Sequence, residues 1–219
     1  MEIAPKRTFA AALDWPGWCR PGVDSDAALA ALFENGPRYG RAVASARLGF
    51  RPPRDPSALR VVQRVKGNAT TDFGAPGVEA RSDRRPLDDA ERRRSERLLR
   101  ACWRALDQAA EGAAGRELRK GPRGGGRSLA GIVRHVVEAE EGYLNALGWK
   151  PPKAGRGAFA ERMADVRGAV LEGLAASARG EIAPRGPRGG VRWRPRYFVR
   201  RVAWHALDHA WEIEDRMMG

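Results

Sequence analysis

Val199-Arg200-Arg201-Val202-Ala203-Trp204-His205-Ala206-Leu207-Asp208-His209-Ala210-Trp211-Glu212 carries two of the three histidines in this chain, four residues apart. Residues at that spacing on a helix lie on one face, one turn from each other. The third histidine, His135, stands in Leu129-Ala130-Gly131-Ile132-Val133-Arg134-His135-Val136-Val137-Glu138-Ala139-Glu140, a second stretch of helical periodicity. A single histidine on an apolar helix face is more often a core residue than a ligand. Here all of them fall in two segments and none is left for surface duties. Two imidazoles on one helix and a third from a facing helix form a His₃ set that can hold a divalent cation and leave coordination positions open. The residue after His205 is Ala206, so the His-Glu-x-x-His pattern of zinc proteases is absent.

Around these segments the apolar spacing predicts four amphipathic helices. Pro86 suits a first helical turn, followed by the stripe Leu98, Leu99, Cys102, Leu106 and Ala109 and by a weak end at Gly112 and Gly115. Ser128 is a good N-cap for a second helix that ends near Gly148. A third spans about 158–178, with Phe159, Met163, Val166, Val170 and Leu174 inward. A fourth starts at Arg194-Pro195 and runs almost to residue 219. Gly/Pro/Arg loops join them at 120–127 and 180–190. Helices of this length joined by such loops make a four-helix bundle, and bundle interiors commonly hold metal sites.

The first 80 or so residues read differently. Residues 6–13 and 59–65 are strand candidates. Asp14-Trp15-Pro16-Gly17-Trp18 is a turn, and Asp24 or Ser25 can cap a helix through Ala28, Leu29, Leu32 and Phe33. Residues 67–77 look irregular. The fold class is therefore mainly α: a small α/β N-terminal segment, 1–80, and a helical bundle, 86–219.

Composition narrows the function classes. The net charge of +13 is carried almost wholly by arginine, spread along the whole length, which reads first as solvated surface and second as a polyanion-binding face. No run approaches a membrane span, and the start of the chain lacks a signal-peptide core, so a cytoplasmic protein is expected. The two cysteines, Cys19 and Cys102, follow no metal-ligand spacing. Cys102 lies on an apolar stripe, whereas Cys19, between Trp18 and Arg20, is expected to be more exposed. The Gly-rich run at 121–126 follows no strand and lacks the Gly-Lys-Ser/Thr ending of a P-loop. The stretch 185–197 mixes arginines with Trp193 and Tyr197. It can act as a connector, a nucleic-acid grip or a cover over the histidines.

The segments around His135 and around His205 and His209 resemble the first and last metal-binding segments of the DinB/YfiT-like superfamily, over about residue 86 to the C-terminus. The resemblance implies a four-helix bundle holding a divalent metal such as nickel or zinc, with His135, His205 and His209 as ligands. It also implies a metal-dependent enzyme, such as a low-molecular-weight-thiol-dependent S-transferase or a hydrolase, acting on a small-molecule substrate. Glu138 and Asp208, beside the ligands, are the candidate catalytic bases. The alternative is a non-catalytic binding module with a basic nucleic-acid-binding surface. The extra N-terminal residues and the Arg/Gly-rich loops depart from the family. Phe9-Ala10-Ala11-Ala12-Leu13-Asp14-Trp15-Pro16-Gly17-Trp18 is faintly similar to the opening of HicB-like domains. Trp211 and Met217 are candidate exposed residues for a homodimer.

Overall fold

The computed structural model describes residues 1–120, 126–153 and 157–217. Residues 121–125 of the expected Gly/Arg loop lie outside them. The chain opens with a four-stranded sheet in the order β3-β2-β1-β4. Its strands are β1 (Glu2–Ile3), β2 (Thr8–Ala11), β3 (Cys19–Gly22) and β4 (Val65–Lys66). β2 pairs antiparallel with β1 and with β3, in the register Ala11↔Cys19, and β1 pairs parallel with β4. The turn between β2 and β3 is the Pro-Gly turn the sequence predicts. Gly17 holds φ at +94°, and a Cβ there would stand 2.9 Å from Leu207 Cδ1. The turn therefore needs glycine twice, for its backbone and for its close approach to the bundle.

The helix α1 (Ser25–Val43) starts where Asp24 accepts a hydrogen bond from the Ala27 N–H at 2.8 Å. It runs past Phe33 and through Pro37, whose ring faces solvent. Tyr39, two residues beyond, is fully buried and donates its hydroxyl to the Pro16 carbonyl at 3.0 Å. Trp18 stacks on Tyr39 and donates its indole N–H to the Leu32 carbonyl. These contacts hold the helix against the sheet despite the missing donor at Pro37.

Two expectations for this segment need correction. Of the candidate strand 59–65 only Val65 pairs in the sheet, where β4 continues one residue beyond it to Lys66. β1 is two residues long and offers no further ladder partner, so 59–64 stays outside the sheet, alternating half-buried and exposed. Within the stretch expected to be irregular, α2 (Ala69–Phe73) forms one short helix. Its capping box joins Asn68 and Thr71 in both directions.

The bundle is α3 (Asp89–Gly112), α4 (Leu129–Leu147), α5 (Phe159–Ala178) and α6 (Pro195–Met217). Pro86 stays outside α3, because Asp88 and Glu91 form a capping box that starts it three residues later. Ser128 caps α4, and Gly148 ends it at φ +93°. α6 packs against α3 and α4, and α5 packs mainly against α4 and equally against α3 and α6. Two bidentate pairs clamp α5 in place: Arg162 on Glu141 at 3.0 and 2.7 Å, and Arg167 on Asp107 at 2.8 and 2.7 Å. Much of the arginine read as solvated surface is thus engaged in joining helices. Phe159 is exposed rather than inward, because it is the first residue of α5 and precedes the packed turns.

One buried cluster links both parts of the chain. Trp18, Leu32 and Tyr39 from the N-terminal segment share it with Leu98, Leu144, Val170 and Leu207 from the bundle. Leu32→Ala should therefore destabilise the whole molecule by about 2–5 kcal/mol in a single transition. Thermal unfolding followed by far-UV and near-UV circular dichroism should give coincident curves; separate transitions would break the shared core.

Glu140 on α4 is 1% exposed and accepts the Trp103 indole N–H at 2.7 Å. Its other carboxylate oxygen has no partner among the described residues. Burial pushes its carboxyl up to about 7, opposed by the Trp103 hydrogen bond. The folded protein holds this proton more tightly than the unfolded chain. The stability it contributes is complete below about pH 4.5 and is lost as pH rises to about 7. Glu140→Gln keeps the acceptor and removes the ionisation. The variant's advantage in melting temperature should be absent at pH 4, grow between pH 4.5 and 7, and then level off; an advantage independent of pH would show that Glu140 does not titrate there.

Candidate metal centre

From Tyr197 to Trp211 every residue of α6 except Arg200 and Asp208 is buried. Phe198, Val202, Ala206 and Leu207 fill the common core, so the helix is fixed about its axis. That rotation turns His205 and His209 toward α4, where His135 meets them. The ring centroids of His135 lie 5.0 Å from His205 and 5.1 Å from His209, and those of His205 and His209 lie 4.6 Å apart. The three rings stand nearly edge-on to one another, and one nitrogen from each lies within 4.8 Å of the others. The structure thus brings together the three histidines singled out in the sequence.

The hydrogen bonds decide which atoms face inward. His209 Nδ1 stands 2.7 Å from Glu212 Oε2, and hydrogen bonding to the imidazole holds the Glu212 carboxyl below its ordinary range. A carboxylate only accepts, so Nδ1 carries a proton, and in the neutral ring the lone pair then lies on Nε2. That Nε2 faces His205 Nε2 at 3.1 Å. Glu212 is itself held by Arg216, whose Nη1 donates to it at 3.0 Å and also to the Arg127 carbonyl, while Nε donates to the Arg119 carbonyl. A carboxylate behind an imidazole, fixed by a cation, is the arrangement that orients a metal-binding histidine.

The donor set fits a divalent ion. Two nitrogens each about 2.1 Å from one ion are about 3.0–3.4 Å apart in octahedral or tetrahedral geometry. The Nε2 pair already has that spacing, and half-exposed His135 has room to close the remainder. Burial, then the neighbouring His209 and His135, pushes His205 well below its ordinary range; burial, then Arg127, lowers His135. Both rings are therefore neutral near pH 7, as ligands must be. Nδ1 of His205 is buried with no hydrogen-bond partner among the described residues, whereas its Nε2 faces His209.

One side of the cluster is walled and one is open. Arg201 is 7% exposed one turn before His205 and lies over the rings of Tyr143, Trp193 and Trp204, at 5.2, 5.7 and 5.2 Å. It donates to the Tyr143 hydroxyl at 3.2 Å and to the Pro76 carbonyl, which joins the N-terminal segment to the wall. The aromatic residues of the 185–197 stretch thus face inward. Along α4 the surface beyond His135 is low: Gly142 is exposed, and no atom lies within 4 Å of where its Cβ would be.

The candidate bases differ in setting. Glu138 is exposed and has no hydrogen bond or ion pair among the described residues. Asp208 points toward the N-terminal sheet, 3.6 Å from Arg20 Nη1; crowding by the protein raises its carboxyl and Arg20 opposes the rise. Cys19 is not exposed as expected: it packs against Phe9 and Trp204, and burial pushes its thiol up to about 12. Cys102 is likewise buried, with its thiol raised by burial. Trp211 is also buried, beneath the guanidinium groups of Arg20 and Arg38, so it offers no dimer surface. Sequence reading missed Arg201 and Arg216, although their spacing of four residues from His205 and Glu212 was visible.

No helix among the described residues is long and apolar enough to cross a membrane. No curated protein and no solved structure matches the chain. The sequence pattern of the DinB superfamily matches residues 98–213. That span begins at the first core leucine of α3 and ends at Ile213 of α6, and so contains all three histidines. Because it covers more than half of the chain and coincides with the helices that carry the cluster, the chain belongs to the DinB superfamily.

Proposed function

We propose that His135, His205 and His209 hold a divalent metal, nickel or zinc, at the active centre of an enzyme that transfers a low-molecular-weight thiol or hydrolyses a small-molecule substrate. The observation that carries this reading is the pair of facing Nε2 atoms 3.1 Å apart, one of them fixed as a lone-pair donor by Glu212. A bound divalent ion supplies Lewis acidity, bringing a coordinated water or thiol to a pKa near neutrality.

The chain's own residues do the rest. Glu212 and Arg216 keep His209 in one tautomer and one orientation. Arg201 and its aromatic neighbours exclude water from one side and add positive charge where a thiolate or hydroxide develops. Glu138, unpaired and one turn from His135, accepts the proton released by the nucleophile. Asp208, the other candidate, is turned toward Arg20 and the sheet, which favours Glu138 as the base. The gap beside Gly142 admits substrate.

Tag-free protein should bind about one equivalent of nickel or zinc, read by mass spectrometry of the metal and by calorimetry. His205→Ala should weaken binding at least about 100-fold with the circular dichroism unchanged, and Glu212→Gln about 10- to 100-fold. Failure of the wild type to bind nickel, zinc, iron or manganese ends the proposal.

Cobalt-loaded protein given a small thiol should develop a thiolate-to-metal charge-transfer band, and Glu138→Gln should shift the apparent pKa of that band upward. A protein that binds cobalt but shows neither a thiol band nor hydrolysis of test esters has a structural metal, which is the binding-module reading.

A further inference from the structure

We propose that a second small-molecule site lies between the N-terminal segment and the bundle, remote from the histidines, and that it takes a carboxylate with an apolar body. The cavity has a volume of about 790 Å³. That is within the range of about 300–1,000 Å³ usual for small-ligand pockets. Its floor is apolar: Phe9, Leu29 and Leu32 on one wall, and Leu87 and Val199 from the bundle side on the other. Its roof is the stretch at 59–64, outside the sheet, from which Val61 lines the cavity.

The charges on the lining select an anion. Two arginines are already neutralised: Arg196 pairs with Glu91, and Arg200 pairs with the buried Asp83. Glu2 is buried and accepts from the backbone N–H groups of Gly77 and Val78. Arg94 is different. Its guanidinium lies 4.5 Å over the Trp15 ring and has no carboxylate or hydrogen-bond partner among the described residues. A contact to the ring face takes up no N–H donor, so the guanidinium keeps its N–H groups for a carboxylate, which an arginine can receive in two parallel hydrogen bonds. Arg60 and Arg85, exposed at the rim, also lack acidic partners, and against these three cations the lining has one unpaired acid, Asp14. A headgroup on Arg94 would leave its apolar part against Leu29, Leu32 and Leu87. Of the lining, only Arg196, Val199 and Arg200 come from the helix that carries His205 and His209, and none of the three is a member of the histidine cluster.

The test uses the full chain and 1-anilinonaphthalene-8-sulfonate, an aromatic anion whose fluorescence rises on burial. One saturable site per chain is expected. Octanoate should displace the probe at least about tenfold more effectively than octylamine or octanol. Arg94→Met, which keeps the apolar stem, should weaken octanoate binding about tenfold, as loss of a hydrogen bond to a charged group does. Arg94→Lys should lose less, and Val61→Trp should block the cavity. His205→Ala should leave the site intact, which separates it from the metal reading. Equal displacement by octylamine, unsaturable binding, or full affinity in Arg94→Met overturns the proposal. Should Arg94→Met fail to fold, the charge selectivity of the wild type and the effect of Val61→Trp decide.

Discussion

The burial of α6 on nearly all sides is the constraint on which the rest depends. A helix that is apolar around most of its circumference cannot rotate without exposing core, so the direction of each polar residue on it is set by packing. His205 and His209 are aimed at α4 for that reason, and Arg201 is aimed at three aromatic rings. Trp204, on the next face, packs edge-on against Phe9 of β2 with ring centroids 6.2 Å apart. One helix thus places the histidine face, its cationic wall and the seam with the N-terminal segment.

That seam explains why the additional residues before the bundle matter physically. They do not form a separate layer tethered by a linker. Gly17 approaches Leu207, the Pro76 carbonyl accepts from Arg201, and Trp18 and Tyr39 lie in the same apolar cluster as the bundle leucines. Burial of this kind contributes about 25 cal/mol per Å² of apolar surface removed from water. It also closes one side of the histidine cluster with backbone from outside the matched family region. The wall beside the histidines is therefore shaped in part by a stretch of chain that the superfamily pattern does not cover.

The bundle was legible because its signals are local. Leu98 to Ala109 repeat at helical spacing, Ser128 caps, and Gly148 stops, each from the chemistry of one or two residues. The histidines were legible because three rare residues fell on two helical faces. What escaped the reading depended on partners far along the chain. Val61 and Gln63 have strand-like composition, yet β1 is too short to pair with them. Trp211 looked like a surface residue at the end of a helix until Arg20 and Arg38 covered it. Glu140 reads as one of several acids on α4, and nothing nearby in sequence shows that Trp103 waits across the core to donate to it. The short helix Ala69–Phe73 is built from polar residues and a capping box, so it lacks the apolar period by which the longer helices were found.

The two thiols give the molecule an internal clock. One sits in the sheet at Cys19 and the other in the middle of α3 at Cys102, and both are shielded from solvent. A thiol-specific reagent can reach either only when its surroundings open, so the rate of modification at each position reports the frequency of that opening. Equal rates would mean that sheet and bundle breathe as one body, and a faster rate at Cys19 would mean that the sheet lifts away first.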